Sequence, residues 1–539
     1  MKPTSAVAVV AILAPVVLAP VPAAAPVPVI ESVSSTELPR SGRFRIFGVG
    51  FGATQGASSV EIDGRSLPAT TWSDTEIHAY VLGDAPLGPF SLRVVAGGVA
   101  SNVVAVQVLP IEVVGPHVQW RFRADSAFIL HRPAVGSDGT VYVNDVGGFL
   151  YAIDRGGGLK WIFDTQGQGA SGPVAIGPGD RVYVASNPLG PELRIYALNP
   201  DGTQRWVFSD PDAQETIAGP NVGPDGNVYA VHDFGLGALS LTPDGQLRWS
   251  EPGFSDFGQS GTEVVFGPPG QLYFCARGSF TAFGLDGNPQ WLIDVGDSSE
   301  QVAVGPDGSV FVEVFVTGAG IRLRSFDAGG SLRWTFFESP TNVISAPDVG
   351  LDGVLYIVRN TFEVHAINND GTSRWVHADE NDLGPVTASE SPYTGPVVSP
   401  DNSTLLVAGV RTLGGPGIVE AMAAASGGPL WSVQLPLENG GRVTPAARPF
   451  FAPDGSAAYI GTSIPGQDPA NEYSYLYAFQ VGALCPADLD GDGDVDVDDF
   501  RAFLAAFAAG DPAADINGDG KVDARDFFGF LVAFRSGCS

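Results

Sequence analysis

The sequence predicts a mostly β protein made of a small β-sandwich, a ring of β-sheets and a short helical module. Three observations lead to this prediction. The chain combines 70 glycines and 43 prolines with 44% hydrophobic residues, a balance that favours turn-rich globular structure over disorder. Tryptophan recurs at near-constant intervals through the middle of the chain, and one acidic pattern occurs twice near its end.

The charge of the chain excludes one large class of partners. Against 59 acidic residues there are 28 basic ones, which gives a formal net charge of −31. Only three of the basic residues are lysines, Lys2, Lys160 and Lys521. Proteins that follow the phosphates of nucleic acids need a basic surface, so we expect no nucleic-acid partner. Three cysteines in 539 residues also exclude a disulfide-dense scaffold.

Residues 1–25 are predicted to be a secretory signal peptide. The apolar stretch 6–21 follows Lys2, contains Pro15 and Pro20, and is followed by small residues. It is short for a membrane span, which needs about 20 residues. An uncleaved anchor is the alternative. We therefore expect export, with no membrane span after signal cleavage.

Residues 27–110 are predicted to form the β-sandwich, because short alternating runs are separated by turns. The run 46–52 (IFGVGFG) is similar to the glycine-rich strand and turn of IPT/TIG domains, an immunoglobulin-like family. The resemblance extends to 60–64, 73–77 and the pair Ser101-Asn102. It implies an Ig-like domain that spaces or presents other domains. A dinucleotide fingerprint also fits 48–53, but no helix pattern follows it.

Residues 111–483 contain an internal repeat. Its tryptophans follow one another at intervals of 41 to 45 residues, with one longer interval of 56; they are Trp120, Trp161, Trp206, Trp249, Trp291, Trp334, Trp375 and Trp431. Each unit contains about four short strands and turns that often carry Asp-Gly. A single sheet of this size cannot bury both of its faces, so radial stacking into a β-propeller is predicted. We expect eight blades, with seven as the alternative, and each indole should pack between blades.

The propeller is expected to close on an N-terminal strand. The last unit ends in 475–479 without a following tryptophan, whereas 118–122 precedes the first complete unit. Pairing of these two segments would complete the eighth blade and leave no open edges around the ring.

The pattern of a strand, Ala-x-Asp/Asn and Gly-x-x-x-Trp resembles the tryptophan-docking repeat of PQQ-like, or quinoprotein-like, propellers. Gly157 with Trp161 and Gly202 with Trp206 keep this spacing. The resemblance implies the fold and says little about function. Quinone-dependent members place two adjacent, disulfide-linked cysteines over the quinone, but this propeller has only Cys275, so we do not expect PQQ. Cys275 itself is predicted to be a buried strand thiol.

Common catalytic motifs are missing from the sequence. The six histidines are scattered, and neither His-Glu-x-x-His, Gly-x-Ser-x-Gly nor a Walker A motif occurs. The sequence leaves an enzymatic role open but favours a protein without catalytic activity.

Residues 484–539 carry a calcium-loop pattern twice, 27 residues apart. The predicted ligands are Asp488, Asp490, Asp492, Asp494, Asp496 and Asp499 in the first loop, and Asp515, Asn517, Asp519, Lys521, Asp523 and Asp526 in the second. Ca²⁺ takes six to eight oxygens, and alternate residues of a tight loop can point at one centre. Position 7 of each loop, Asp494 or Lys521, donates its backbone carbonyl. We therefore expect two bound Ca²⁺ ions.

An amphipathic helix pattern follows each loop, so the module resembles a dockerin, the anchoring half of the dockerin–cohesin pair. This resemblance implies a cohesin-like or other cell-surface protein as partner. Positions 10 and 11 of the loops, Val497-Asp498 and Ala524-Arg525, depart from the family's Ser-Thr-like recognition pair. Similar tails occur on exported bacterial proteins outside cellulosomes. We expect a secreted, extracellular or cell-surface location in a bacterium.

Together these patterns predict an exported, non-catalytic binding or scaffold protein. Its propeller would present an interaction face, whose ligand the sequence does not identify, and its tail would dock in a calcium-dependent manner. The alternative is an extracellular enzyme component, acting in polysaccharide degradation or as a quinone-dependent dehydrogenase.

Cys485 and Cys538 bracket the C-terminal module and are predicted to form a disulfide in the exported protein. Thiol titration of the denatured, non-reduced protein should then find one free thiol per chain, that of Cys275. The reduced protein is the control and should give three. Three thiols before reduction would exclude the disulfide.

Overall fold

The computed structural model describes residues 27–536 except for 112–116, 127, 130, 167–171, 187–192, 211–216, 233–237, 252–263, 269, 277–278, 295–301, 317–319, 340–344, 360–362, 379–393, 411–415, 439–440, 465–472, 482–486, 488, 490–494, 496, 511–513, 515 and 517–520. Within these residues the protein has 45 strands and two helices, which confirms the prediction of a mostly β protein. Neither helix in this part of the chain has the length and apolar character needed to cross a membrane.

Two sheets form the N-terminal domain. The first contains β1 (Val29–Val33), β3 (Arg43–Val49), β7 (Glu76–Tyr80) and β6 (Ala69–Trp72), in that order; the second contains β2 (Glu37–Pro39), β10 (Val104–Leu109), β8 (Gly88–Ala96), β4 (Ser59–Ile62) and β5 (Arg65–Leu67), with β9 (Val99–Ala100) beside β8. Alternate residues of β3, among them Phe44 and Ile46, are buried. They share one core with Leu92 and Val106 of the second sheet, so the domain is a sandwich.

Asn102 covers the outer edge of strand β1. Its Oδ1 accepts a hydrogen bond from the Ile30 N–H at 2.7 Å, and its Nδ2 donates to the Ile30 carbonyl at 3.0 Å. An edge strand with open backbone groups can pair with another chain. The amide of Asn102 therefore takes the place of a neighbouring strand at this point.

Seven successive four-stranded sheets follow, named here sheet 1 to sheet 7. Their strands run in sequence order from the first to the fourth: β12 (Ala134–Val135), β13 (Val141–Asn144), β14 (Phe149–Ile153) and β15 (Leu159–Asp164); β16 (Ala175–Gly177), β17 (Arg181–Ser186), β18 (Leu193–Leu198) and β19 (Gln204–Asp210); β20 (Ile217–Val222), β21 (Val228–His232), β22 (Ala238–Leu241) and β23 (Leu247–Glu251); β24 (Val265–Gly267), β25 (Gln271–Ala276), β26 (Ser279–Gly284) and β27 (Pro289–Asp294); β28 (Val302–Val304), β29 (Val310–Val316), β30 (Gly320–Phe326) and β31 (Leu332–Ser339); β32 (Asp348–Val349), β33 (Leu355–Val358), β34 (Glu363–Ile367) and β35 (Ser373–Ala378); β36 (Val397–Val398), β37 (Thr404–Val410), β38 (Gly417–Ala423) and β39 (Pro429–Gln434).

An eighth sheet, named here the closing sheet, joins the two ends of this region. It contains β11 (Val118–Ala124), β45 (Ser474–Gln480), β44 (Ala457–Ser463) and β42 (Thr444–Pro445), with β43 (Phe450–Phe451) beside β44; a separate hairpin pairs β40 (Leu437–Glu438) with β41 (Gly441–Arg442). β11 runs antiparallel to β45, and Trp120 lies opposite Ala478.

Burial explains why these strands have their sequences. All four residues of β13 and all four of β33 are buried, because each middle strand is covered on both faces by neighbouring sheets. The fourth strand of sheet 4, β27, alternates exposed and half-buried residues, since it lies at the outer edge. Apolar runs therefore mark the middle strands, and alternation marks the rim.

Two helices, α1 (Val497–Ala509) and α2 (Ala524–Ser536), form the described part of the C-terminal module. They meet through Phe503 and Phe530, whose rings stack with centroids 4.0 Å apart and planes 4° from parallel. Both phenylalanines are fully buried, so the module has a small aromatic core of its own.

Candidate functional site

The eight repeat tryptophans lie on the outermost strands of their sheets, and each indole N–H reaches the following sheet. It donates to a backbone carbonyl there at 2.8 to 3.3 Å; the pairs are Trp120 to Arg155, Trp161 to Pro200, Trp206 to Pro243, Trp249 to Leu285, Trp291 to Ala328, Trp334 to Asn369, Trp375 to Ala424 and Trp431 to Val481. Each contact satisfies a polar group on a largely apolar ring. One hydrogen bond thus links every sheet to its neighbour.

The glycine of the repeat receives the tryptophan of the preceding sheet. Gly157 has φ +87°, and a Cβ placed on it would lie 2.6 Å from Cγ of Trp120. Gly202 has φ +84° and stands in the same relation to Trp161, at 2.7 Å from Cδ2. Only glycine fits both the backbone angle and the close ring. The Gly-x-x-x-Trp spacing therefore places the glycine that contacts the indole of the preceding sheet four residues before the tryptophan of its own sheet.

Acids in the turns of the repeats stabilise the turns themselves. Asp201 Oδ1 accepts hydrogen bonds from the Thr203 hydroxyl and N–H, and these bonds lower the pKa of Asp201. Asp370 and Thr372 repeat the arrangement. Among the residues that the structure describes, no group of three or more His, Cys, Asp or Glu side chains is placed to hold a metal. Many of the 59 acids are thus explained by local turn chemistry.

A buried cluster of charged groups joins the N-terminal domain to the closing sheet. Asp125 follows β11, and its Oδ1 lies 2.5 Å from Arg43 Nη2; both side chains are only 2% exposed. His78 Nδ1 lies 2.9 Å from the same oxygen, and the Thr70 and Thr71 hydroxyls donate to Oδ2. Burial would raise the pKa of Asp125, but the hydrogen bond from His78 and the charge of Arg43 outweigh it and lower the pKa.

A second buried carboxyl lies beside this cluster, in the turn between β13 and β14. Asp145 Oδ1 accepts the Phe149 N–H at 3.0 Å, and Oδ2 accepts the Tyr151 hydroxyl at 2.9 Å. The Tyr151 oxygen in turn accepts the Asp125 N–H at 3.1 Å. Complete burial raises the pKa of Asp145 to about 7, against the lowering effect of these hydrogen bonds. The two aspartates thus share one network but have opposite pKa shifts.

The sequence did not reveal the Asp125 cluster. Arg43 and Asp125 lie in different predicted domains, no motif joins them, and neither was singled out. One signal was present, since Arg43, Arg45 and His78 are charged or polar residues in strands otherwise rich in apolar ones. Their partners become visible only when the domains are packed together.

The C-terminal module positions two of its predicted ligands inside. Asp499 and Asp526, at position 12 of the two loops, are both fully buried. Asp499 Oδ1 accepts the Leu489 N–H at 2.7 Å, and Asp526 Oδ2 accepts the Asp523 N–H at 2.8 Å. Val495 and Val522, at position 8 of each loop, pack against the same aromatic core.

Most of the predicted ligands lie outside the described residues. Asp499, Lys521, Asp523 and Asp526 are described, and the other eight are not: Asp488, Asp490, Asp492, Asp494, Asp496, Asp515, Asn517 and Asp519. Cys485 and Cys538 also lie outside them, as does the side chain of Cys275. The calcium ligands, the disulfide and the absence of PQQ stay predictions.

Comparison with known families identifies the repeat. Residues 115–271 and 276–463, together more than half of the chain, match the family model described as outer membrane protein assembly factor BamB. The chain belongs to this PQQ-like repeat family. The resemblance to PQQ-like propellers predicted from the tryptophan repeat is thereby confirmed. No curated protein matches the chain.

Three solved structures are similar to this BamB-type propeller to different degrees. The Dos1 propeller is 10% identical, with a TM-score of 0.50, over 68% of this chain and 94% of that one. BamB from Moraxella catarrhalis is 15% identical, with a TM-score of 0.46, over 68% and 98%; a streptogramin B lyase is 14% identical, with a TM-score of 0.39, over 53% and 94%. At such low identity, the match to the Dos1 propeller shows the fold alone.

Replacing a glycine that contacts a repeat tryptophan should destabilise the BamB-type propeller more than replacing a glycine with no neighbouring atoms. Gly202→Ala combines a positive φ with a clash against Trp161, and we expect a loss of roughly 2–4 kcal/mol. Gly179→Ala is the matched control, because Gly179 has φ +74° with no atom within 4 Å of an added Cβ. Melting temperatures of both variants check this. Equal losses would show that the tryptophan contact adds nothing.

Asp145→Asn should remove a pH dependence of stability. The raised pKa of Asp145 means that its contribution is fully present below the unfolded pKa of 3.8 and is lost as pH rises to about 7. Relative to the variant, the wild type should therefore lose melting temperature as pH rises from about 4 to about 7 and show no further relative loss above this range. Asp286→Asn, in an exposed turn, is the control and should leave this slope unchanged. Parallel pH profiles for wild type and Asp145→Asn would contradict the assignment.

Proposed function

We propose that the chain is an exported, non-catalytic interaction protein of a bacterial cell surface or its surroundings. The match of more than half of the chain to the BamB family carries this proposal, because that family is named for a role in assembling other proteins. The turn acids of the propeller support it, since they bond to their own backbone and leave little chemistry for a reaction. The propeller is then a surface for binding proteins.

Eight blades are the arrangement that we propose for the propeller. Seven four-stranded sheets and the closing sheet make eight, and the indole contacts pass from each sheet to the next. We also propose that the N-terminal sandwich is an IPT/TIG Ig-like domain, supported by its two sheets and by Asn102 of the Ser-Asn pair. The apolar stretch at 6–21 supports a signal peptide within residues 1–25 that is removed on export.

The C-terminal module is proposed to bind two Ca²⁺ ions and to dock the chain onto a cohesin-like or other cell-surface protein. The described residues fit this role. Burial of the Asp499 and Asp526 carboxylates is costly unless opposite charge and hydrogen bonds compensate it; backbone N–H groups donate to both carboxylates, and a hard cation would supply the opposite charge. Packing of Val495 and Val522 against one shared core also supports pairing of the two loops.

Calcium titration of the full-length, metal-free chain by calorimetry tests the module. We expect two bound ions for the wild type, and loss of one ion in Asp499→Asn or in Asp526→Asn, because each removes a position-12 ligand. Asp286→Asn, in a propeller turn, is the matched control and should keep two ions. No binding by the wild type, or unchanged binding by both module variants, would remove the calcium proposal.

Docking is tested by measuring binding of the chain to an immobilised cell-surface protein fraction, in calcium and in EGTA. The wild-type chain should bind in calcium and be released by EGTA, and the Asp499→Asn/Asp526→Asn double variant should bind at least tenfold more weakly. Binding that persists in EGTA at full strength would contradict calcium-dependent docking.

A further inference from the structure

The outer strand of the closing sheet is covered, unlike its counterparts. In β11, alternate residues from Val118 to Ala124 are buried, whereas β27, β35 and β39 alternate exposed and half-buried residues. Trp120 is 1% exposed, and the other seven repeat tryptophans are only half-buried. The outer strand β11 is therefore covered from solvent, whereas the outer strands β27, β35 and β39 are partly exposed.

The N-terminal domain covers β11 through an aromatic contact. The ring of Tyr80, at the end of β7, stacks on Phe122 of β11 with centroids 5.7 Å apart and planes 17° from parallel. It also lies 6.0 Å from the ring of Tyr151 in sheet 1. Tyr80 is fully buried and belongs to the core of the propeller rather than to that of its own domain.

Backbone contacts extend this interface onto sheet 1. The Gly83 N–H donates to the Leu159 carbonyl at 2.9 Å, and the Leu159 N–H donates to the Ser41 hydroxyl at 2.7 Å. A Cβ on Gly83 would lie 2.3 Å from Cα of Gly158, so the two backbone segments are in direct contact. The N-terminal domain thus bridges the closing sheet and sheet 1, which is where the ring begins and ends.

The buried Arg43–Asp125 pair fixes the orientation of the bridge. Removing one partner of a buried ion pair leaves an uncompensated charge, which is strongly unfavourable, although a well-packed apolar replacement of both partners is often tolerated. Asp125 also accepts hydrogen bonds from Thr70 and Thr71 of the N-terminal domain. Such a site accepts one docking geometry and rejects others.

We propose that the N-terminal domain is an intramolecular clasp, docked across the seam of the propeller, which is the junction of the closing sheet and sheet 1, and holding β11 against sheet 1. The clasp contacts Phe122 of β11 together with Tyr151 and Leu159 of sheet 1, so that the first strand of the ring and the first complete sheet are held as one unit. The domain is then neither a free spacer nor available to a separate partner on this face. A partner that binds this part of the rim would have to displace it.

Cleavage of the folded, full-length chain tests the clasp. A protease site is introduced into the connecting residues 112–116, the folded protein is cut, and the two parts are followed by gel filtration at micromolar concentration. We expect the wild-type parts to co-elute. Separation of the wild-type parts would overturn the proposal.

Three variants show which contacts hold the parts together. Asp125→Ala leaves Arg43 unpaired, and Gly83→Ala introduces a clash while leaving the charges intact; each should weaken association of the cut parts at least tenfold. Arg65→Ala removes a salt bridge to Asp84 that is largely exposed, and its parts should co-elute like the wild type. If Asp125→Ala does not fold, Gly83→Ala alone decides. Tight association of the cut Gly83→Ala protein would also overturn the proposal.

Discussion

The pairing of β11 with β45 is the contact on which the rest of the molecule depends. It joins residues from the two ends of the propeller region, and without it the closing sheet would lose its outer strand and Trp120. Forming such a distant contact costs loop-closure entropy that local contacts must offset. The repeated indole contacts between sheets stack the remaining sheets so that these ends meet.

One local arrangement, used seven times among the described residues, builds most of this ring. An indole from one sheet packs on a positive-φ glycine and bonds to a carbonyl in the next sheet, as Trp161 does with Gly202 and Pro200. Trp431 makes the equivalent bond to a carbonyl, but its ring stacks on His117. Since each sheet contacts only its neighbours, stability is approximately a sum of such interfaces. The closing sheet is the exception, because the N-terminal domain covers its outer strand and contributes Tyr80 to its core.

Periodic features of this fold could be predicted from the sequence, and unique ones could not. Trp161 and Trp334 were located by spacing alone, because every regular repeat must satisfy the same packing geometry. The Arg43–Asp125 pair occurs once, lies between domains, and has no repeat to mark it. The burial of Asp145 likewise depends on how Tyr151 and the N-terminal domain pack around a turn that otherwise resembles its neighbours. Of the C-terminal site, the pattern predicted the ligand types, while the inward position of Asp499 needed the packed helices.

Native-state hydrogen exchange on the full-length chain tests the closure most directly. If the β11–β45 pairing closes the ring and the N-terminal domain covers β11, amides of β11 should exchange as slowly as those of the middle strand β13. The outer strands β27 and β35, which the N-terminal domain does not cover, provide the internal comparison and should exchange faster. Exchange of β11 at the rate of these open outer strands would contradict the account, because it would show that the seam opens independently of the rest of the propeller.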